Sequence, residues 1–165
     1  MPDIDTIRKL AKLMIDTSPG DHFHALGMRF VRIEKAKVTG ELPYSAEIVG
    51  NPETGVIHGG ALTALLDTCS GFAAVAALDE LALCPTMDLR IDYMRPAEPN
   101  KSVFAVAEAY RVTRQVVFCR GVAYQDDIDN PVAHCVANFT RLDPSVNAEM
   151  AKMIEPFLAD IELDT

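Results

Sequence analysis

His58, Gly59, Gly60 and Asp67 are the residues of this chain whose types and spacing can do chemistry. The two glycines open an apolar run, Ala61-Leu62-Thr63-Ala64-Leu65-Leu66, and Asp67 is the one carboxylate inside its continuation to about residue 78. The run reads as a helix. At a helix start the first N–H groups lack an intrahelical acceptor, and the macrodipole adds partial positive charge. Glycine allows close approach to that backbone, so a developing oxyanion would be stabilised there. The same glycines also suit tight packing of a helix on a sheet, and by themselves they do not separate the two uses. Asp67 lies about two turns further on. A carboxylate removed from water needs a partner or a reaction. Thr63, Thr68, Ser70 or a neighbouring strand offer the structural alternative; with the glycine start beside it, the acid reads as catalytic.

Spacing adds a constraint. Gly59 and Asp67 are eight residues apart, roughly 12 Å along a helix axis. Attack on a carbonyl needs the nucleophile about 3–3.5 Å away. One chain cannot easily bring both groups to one carbonyl. Two chains can, if the helix start of one faces Asp67 of the other across a two-fold axis, which gives two equal sites.

The elements that must position these residues follow from periodicity. Residues 4–15 carry apolar side chains at 4, 7, 10, 11, 14 and 15, a helical spacing, and Ser18-Pro19-Gly20 stops it. Residues 28–37 and 38–49 read as a strand hairpin, and residues 50–55 as a loop rich in Gly, Asn and Pro. The apolar helix spans 59–78. Met87, Leu89, Ile91 and Tyr93 then alternate with Asp88, Arg90 and Asp92 as a half-buried strand. Residues 103–111, 116–125 and 132–141 add three more strands, with a turn at 126–131. Asp143-Pro144-Ser145 starts a last helix, 144–158. Strands joined by short turns imply an antiparallel sheet. A helix apolar nearly all round must be covered on more than one side. A curved sheet wrapped around it gives an α+β fold of one domain, residues 1–165.

Composition limits the partners. The 165 residues suit one domain, and 49 % are hydrophobic. A net charge of −9 argues against nucleic acid and anionic membrane surfaces. It leaves room for a phosphate-bearing small ligand held by a few local arginines. Cys69, Cys84, Cys119 and Cys135 sit singly in apolar segments and read as reduced thiols. No His, Asp, Glu and Cys grouping has metal-ligand spacing, and His22, His24 and His134 read as ordinary surface or core residues. The apolar run is about long enough to span a bilayer. Asp67 at mid-membrane would cost roughly 2.5–3.5 kcal/mol on insertion scales, and Asp79-Glu80 follow at once, so a core helix is expected. The N-terminus shows no signal peptide, and the cytoplasm is the expected location.

Asn51…Gly55-x-x-His58-Gly59-Gly60…Leu66-Asp67, followed by Pro85-Thr86-Met87-Asp88-Leu89-x-Ile91-x-Tyr93-Met94-x-Pro96, resembles the hotdog-fold acyl-CoA thioesterases of the phenylacetate-pathway (PaaI-like) branch. The resemblance covers about residues 23–141, leaving the N- and C-terminal helices outside this core. It implies the hotdog fold, an antiparallel curved sheet around a long central helix. It also implies sites at a homodimer interface, with a dimer of dimers expected, an acyl-CoA substrate and no cofactor. Asp67 would be the nucleophile or the general base that activates water. The Gly59 N–H would hold the thioester oxygen beside Gly60, and His58 would support the site by hydrogen bonding. Asn51 would position the thioester or the water, and Thr86 would assist the water. Arg111 and Arg114 would meet the phosphates of coenzyme A; as plain residues they read equally as solvated strand-end charges. There are two departures: Asn51 stands seven residues before His58, one more than the family spacing, and Thr113 stands where relatives often carry glycine.

Hydrolysis of an acyl-CoA to a free acid and coenzyme A is the function expected. A hydratase or dehydratase acting on acyl thioesters, and a non-catalytic acyl-CoA sensor, are the alternatives. Phe72, Met87, Met94, Phe104 and Phe118 are candidates for lining an acyl tunnel or for the core. The sequence does not give the acyl length.

Overall fold

The computed structural model describes residues 4–17 and 20–163, so the stop expected at Ser18-Pro19 and the reading of residues 1–3 fall outside the described residues. The alternating segments form a six-stranded antiparallel sheet. Its strands are β1 (Arg29–Glu34), β2 (Lys37–Leu42), β5 (Thr86–Tyr93), β6 (Val103–Val112), β7 (Val116–Tyr124) and β8 (Ala133–Thr140), in the order β1-β2-β6-β7-β8-β5. The apolar run is helix α3 (Gly59–Ala76), and it lies across β2, β6 and β7. Two short strands, β3 (Val49–Asn51) and β4 (Val56–Ile57), pair just ahead of it. Helix α1 (Ile4–Thr17), the one-turn α2 (His22–Ala25) and α4 (Pro144–Ala159) complete the chain. The α+β hotdog architecture expected from the sequence is the one observed.

The helix sits close because small residues lie beneath it. A Cβ on Gly40 of β2 would fall 2.6 Å from Cys69 Sγ, and one on Gly121 of β7 would fall 2.8 Å from Cys135 Sγ and 3.3 Å from Leu66 Cδ2. Gly40 pairs with Ala105, and Gly121 with both Ala107 and Cys135, so the small side chains form a lane across four strands. Leu65, Leu66, Cys69, Ser70 and Ala73 fill it and are at most 1 % exposed. The four cysteines are free and buried. Burial pushes the Cys69 and Cys119 thiols up to about 12 and Cys84 to about 11, so all three stay protonated and pack as small apolar groups.

Several boundaries differ from the sequence reading. β2 ends at Leu42 rather than running to 49, because Pro43 follows and has no N–H to give a ladder. Residues 46–48 instead make a single 3-10 turn. The 50–55 loop proves to be a tight turn between β3 and β4, closed by Gly55 N–H donating to Asn51 O at 2.8 Å with Gly55 at φ +73°. α3 ends at Ala76, two residues early. The last helix begins as expected, with Asp143 accepting from Ser145 N–H at 2.9 Å and Pro144 in the first turn.

α3 is long and apolar enough to pass for a membrane span, yet more than half of it is buried in this core. Its coverage is uneven. Ala73 to Ala76 are all buried, whereas Gly60 is exposed and Thr63, Ala64, Asp67, Thr68 and Gly71 are only half-buried. The expected cover on every side is therefore supplied at the C-terminal end of the helix and not along its first three turns. Leu66→Ala, at 0 % exposure, is expected to lower unfolding free energy by about 2–5 kcal/mol in a denaturant titration; a loss below about 1 kcal/mol would contradict this packing.

Candidate active site

The start of α3 is built by its own flanking residues. His58 is the N-cap, extended at φ −65°, ψ 132°, and its ring Nδ1 accepts from Gly60 N–H at 2.9 Å. That bond places the proton of a neutral ring on Nε2, leaving an exposed donor beside the helix start. Ala61 N–H is taken by His58 O at 3.0 Å. Gly60 N–H and Ala61 N–H are thus occupied, and Gly59 N–H has no acceptor among the described residues. Of the two glycines, Gly59 keeps the open donor. Gly60 supplies the room for the cap, since a Cβ there would lie 2.9 Å from His58 Nδ1. Gly50 is needed for the same reason: its Cβ would lie 2.8 Å from His58 Cα.

Tyr93 completes this end, a role that neither the strand alternation nor the quoted motif assigns to it. Its hydroxyl donates to Gly59 O at 2.9 Å and lies 2.9 Å from Thr63 Oγ1, which itself donates to Gly59 O at 3.1 Å. An aromatic with a polar tip closing an amphipathic strand was the available signal. Asn51 does something different from the expected positioning. Its Oδ1 accepts from Glu53 N–H at 3.0 Å and its carbonyl closes the β3–β4 turn, so it shapes the loop that carries His58.

Asp67 is half-buried on the open face of α3, not enclosed. Its Oδ1 accepts from Thr86 Oγ1 at 2.9 Å. It has no cationic partner among the described residues, and Oδ2 accepts no hydrogen bond there. Strand alternation would have put Met87 inward and Thr86 outward. The β5–β8 register shows why the reverse holds. Thr86 pairs with Phe139 and Asp88 with Asn138, so Met87 is an extra residue in a β-bulge. Thr86 thereby joins Leu89, Ile91 and Tyr93 on the helix-facing side, opposite Phe139, Ala137, Cys135 and Ala133. Met87 is turned out and is 61 % exposed.

A second bulge moves Arg111. Ala109 pairs with Cys119 but Arg111 with Phe118, so Tyr110 is the extra residue and Arg111 lies on the outer sheet face, away from α3. Arg114 is at the tip of the β6–β7 turn, which Thr113 closes: its Oγ1 donates to Val116 O at 2.8 Å and accepts from Val116 N–H at 3.0 Å. Both arginines are exposed and have no acidic partner among the described residues. Of the tunnel candidates, Phe104 and Phe118 are half-buried on the outer face, Met87 and Met94 are exposed, and Phe72 alone lies beside α1. No group of three or more His, Cys, Asp or Glu side chains close enough to hold a metal occurs among the described residues.

Comparisons with known proteins bear on the family and the fold. The thioesterase superfamily profile matches residues 54–132, which include His58, Gly59, Asp67 and Thr86. A Pseudomonas aeruginosa protein of known crystal structure is 48 % identical and superimposes with a TM-score of 0.69, covering 84 % of this chain and 97 % of that one. The medium/long-chain acyl-CoA thioesterase YigI of Salmonella typhimurium is 29 % identical over 116 residues, 62 % of this chain and 74 % of that protein. The Escherichia coli PaaI protein, from the phenylacetic acid degradation operon, has the same fold at 18 % identity, with a TM-score of 0.72 over 84 % of this chain and 94 % of that one.

The cap makes a stability prediction separate from any chemistry. His58→Ala removes the acceptor for Gly60 N–H and is expected to cost about 0.5–2 kcal/mol in chemical denaturation. His58→Asn supplies a side-chain acceptor and should recover most of that loss. Equal destabilisation by both substitutions would show that the ring's cap bond is not what matters.

Proposed function

Because the chain belongs to the thioesterase superfamily, we propose that it is an acyl-CoA thioesterase, releasing a free acid and coenzyme A. The observation that carries this is the Asp67–Thr86 pair on the open face of α3, together with a helix start whose Gly59 N–H has no acceptor among the described residues. Salmonella YigI, named for medium/long-chain acyl-CoA hydrolysis, supports the substrate class.

Asp67 takes the proton of a water molecule through Oδ2, while Thr86 holds Oδ1 and fixes the carboxylate plane. The water oxygen adds to the thioester carbon, and the negative charge that moves onto the carbonyl oxygen falls on Gly59 N–H at the positive end of α3. One such donor is worth roughly 2.7–4 kcal/mol in the transition state. The tetrahedral adduct collapses by breaking the C–S bond, and the thiolate leaves with its electron pair and takes up the proton Asp67 had accepted. This chemistry requires no redox group and no metal. His58 supplies its Nε2–H as a further donor near the carbonyl.

Gly59 and Asp67 of one chain are about 12 Å apart along the axis, so each site takes Gly59 from one protomer and Asp67 from its partner. The uncovered face of α3 and the exposed Tyr93 beside it support a two-fold dimer there. A dimer of dimers would use the outer sheet face, where Tyr110 and Val136 are exposed. Arg111 and Arg114 meet the phosphates of coenzyme A as unpaired guanidinium forks. Four protonated, unbridged thiols fit a reducing compartment, and we place the protein in the cytoplasm.

Asp67→Asn is expected to lower kcat at least about a hundredfold in a thiol-release assay, with the dimer intact by sedimentation. Activity within threefold of the parent on the best substrate would sink the assignment. The shared site has its own test. Gly59→Pro removes the N–H at a position where proline is tolerated, although Tyr93, which would lie 3.1 Å from the new Cβ, must give slightly. Each variant alone should be inactive. Subunits of the two, mixed and re-associated, should recover roughly a quarter of the parent activity, since half the dimers carry one intact site of two. No recovery from demonstrably mixed dimers would place both groups in one chain.

A further inference from the structure

The chain contains an apolar cavity that the mechanism above does not use. It has a volume of about 410 Å³ and lies between α1 and the C-terminal half of α3, roofed by the segment that leads into β5. Leu10 and Met14 of α1 form one wall, Phe72 and Val75 of α3 the other, and Leu83 and Pro85 the roof. Its size is in the range of small-ligand pockets, roughly 300–1,000 Å³, and no charged side chain lines it.

Two features tie the cavity to Asp67. Gly71 borders it and follows Asp67 by one helical turn on the same face, about 6 Å along the axis. Pro85 borders it from the other side and immediately precedes Thr86, whose hydroxyl holds Asp67. One side of the cavity is thus lined by residues adjacent to the Asp67–Thr86 pair. Gly71 adds no side chain where the helix borders the cavity, and a Cβ on it would have only Phe139 within 4 Å.

We infer that this cavity is the acyl-chain subsite, and that α1, which lies outside the residues matching the superfamily profile, selects substrates with an unbranched alkyl chain of medium length or longer. The inference rests on the thioesterase reading. For a thioester carbonyl held at Asp67, this cavity offers an apolar chain a place out of water within the protomer, bordered by Gly71 and Pro85. Leu10 and Met14 stand four residues apart on one face of α1, and Ile7 and Ala11, at 2 % and 3 % exposure, anchor that helix independently of them. Their side chains can therefore change without removing the anchor.

The test is a chain-length series from butyryl- through octanoyl- and decanoyl- to palmitoyl-CoA. Each methylene that enters the cavity should raise kcat/KM about fourfold, with the rise flattening once the cavity is full. Met14→Phe and Leu10→Phe should each lower kcat/KM for decanoyl-CoA at least tenfold more than for butyryl-CoA, and Met14→Ala should move the optimum to longer chains. Dissociation constants of non-hydrolysable S-alkyl coenzyme A thioethers should follow the same order, which reads the subsite without turnover. A flat series, or variants that change butyryl and decanoyl turnover by the same factor, would overturn the subsite while leaving hydrolysis itself standing. Loss of the hydrolysis reading would look different: no thiol release from any member, with Asp67→Asn no worse than the parent.

Discussion

An apolar helix 18 residues long has to be covered all round, and this chain covers the first three turns of α3 on one side only. The sheet takes Leu65, Leu66, Cys69 and Ala73, with Gly40 and Gly121 letting it approach to contact distance. With the sheet so close, an ionised carboxylate on that side would be stripped of water, and Asp67 lies on the other. The carboxylate is therefore neither buried nor fully solvated. It stands at the rim of a surface that wants a cover, with one oxygen tied to Thr86 and the other open. The tension between an apolar helix and an incomplete shell is what makes the site possible.

Two β-bulges then decide what surrounds the site. The extra Met87 swings Thr86 to the inner face, within 2.9 Å of Asp67. The extra Tyr110 swings Arg111 to the outer face. Each inserts a single residue and inverts the side of one functional group, because side chains on a strand alternate with a period of two. The Thr86 hydroxyl that donates to Asp67 and the cationic Arg111 are in this way placed on opposite faces of the sheet.

The helix start follows a different logic. A histidine cap, two glycines and a tyrosine hydroxyl divide the first-turn groups among themselves, and among the described residues Gly59 N–H is left without an acceptor. Gly50 and Gly60 are glycine for the histidine's sake, and Asn51 shapes the turn that brings it there. Most of the His58–Gly59–Gly60 motif is thus structural, and Gly59 N–H is the backbone donor it leaves open among the described residues.

The sequence alone determined the types and order of the long elements, because periods of two and of about 3.6 are local properties of the chain, while α2, β3 and β4 are too short to show a period. It also determined that Gly59 and Asp67 lie on one helix, eight residues apart. The end of β2 was legible only in hindsight, through Pro43. What the tertiary structure decided is everything that depends on partners distant along the chain. A bulge is a mismatch between two strands, so neither Thr86 turning inward nor Arg111 turning outward can be read from one strand's pattern. Tyr93 meeting Gly59 depends on where β5 crosses α3. The half-exposed state of Asp67 depends on which side of the helix the sheet occupies, and a sequence that is apolar nearly all round leaves that choice to packing.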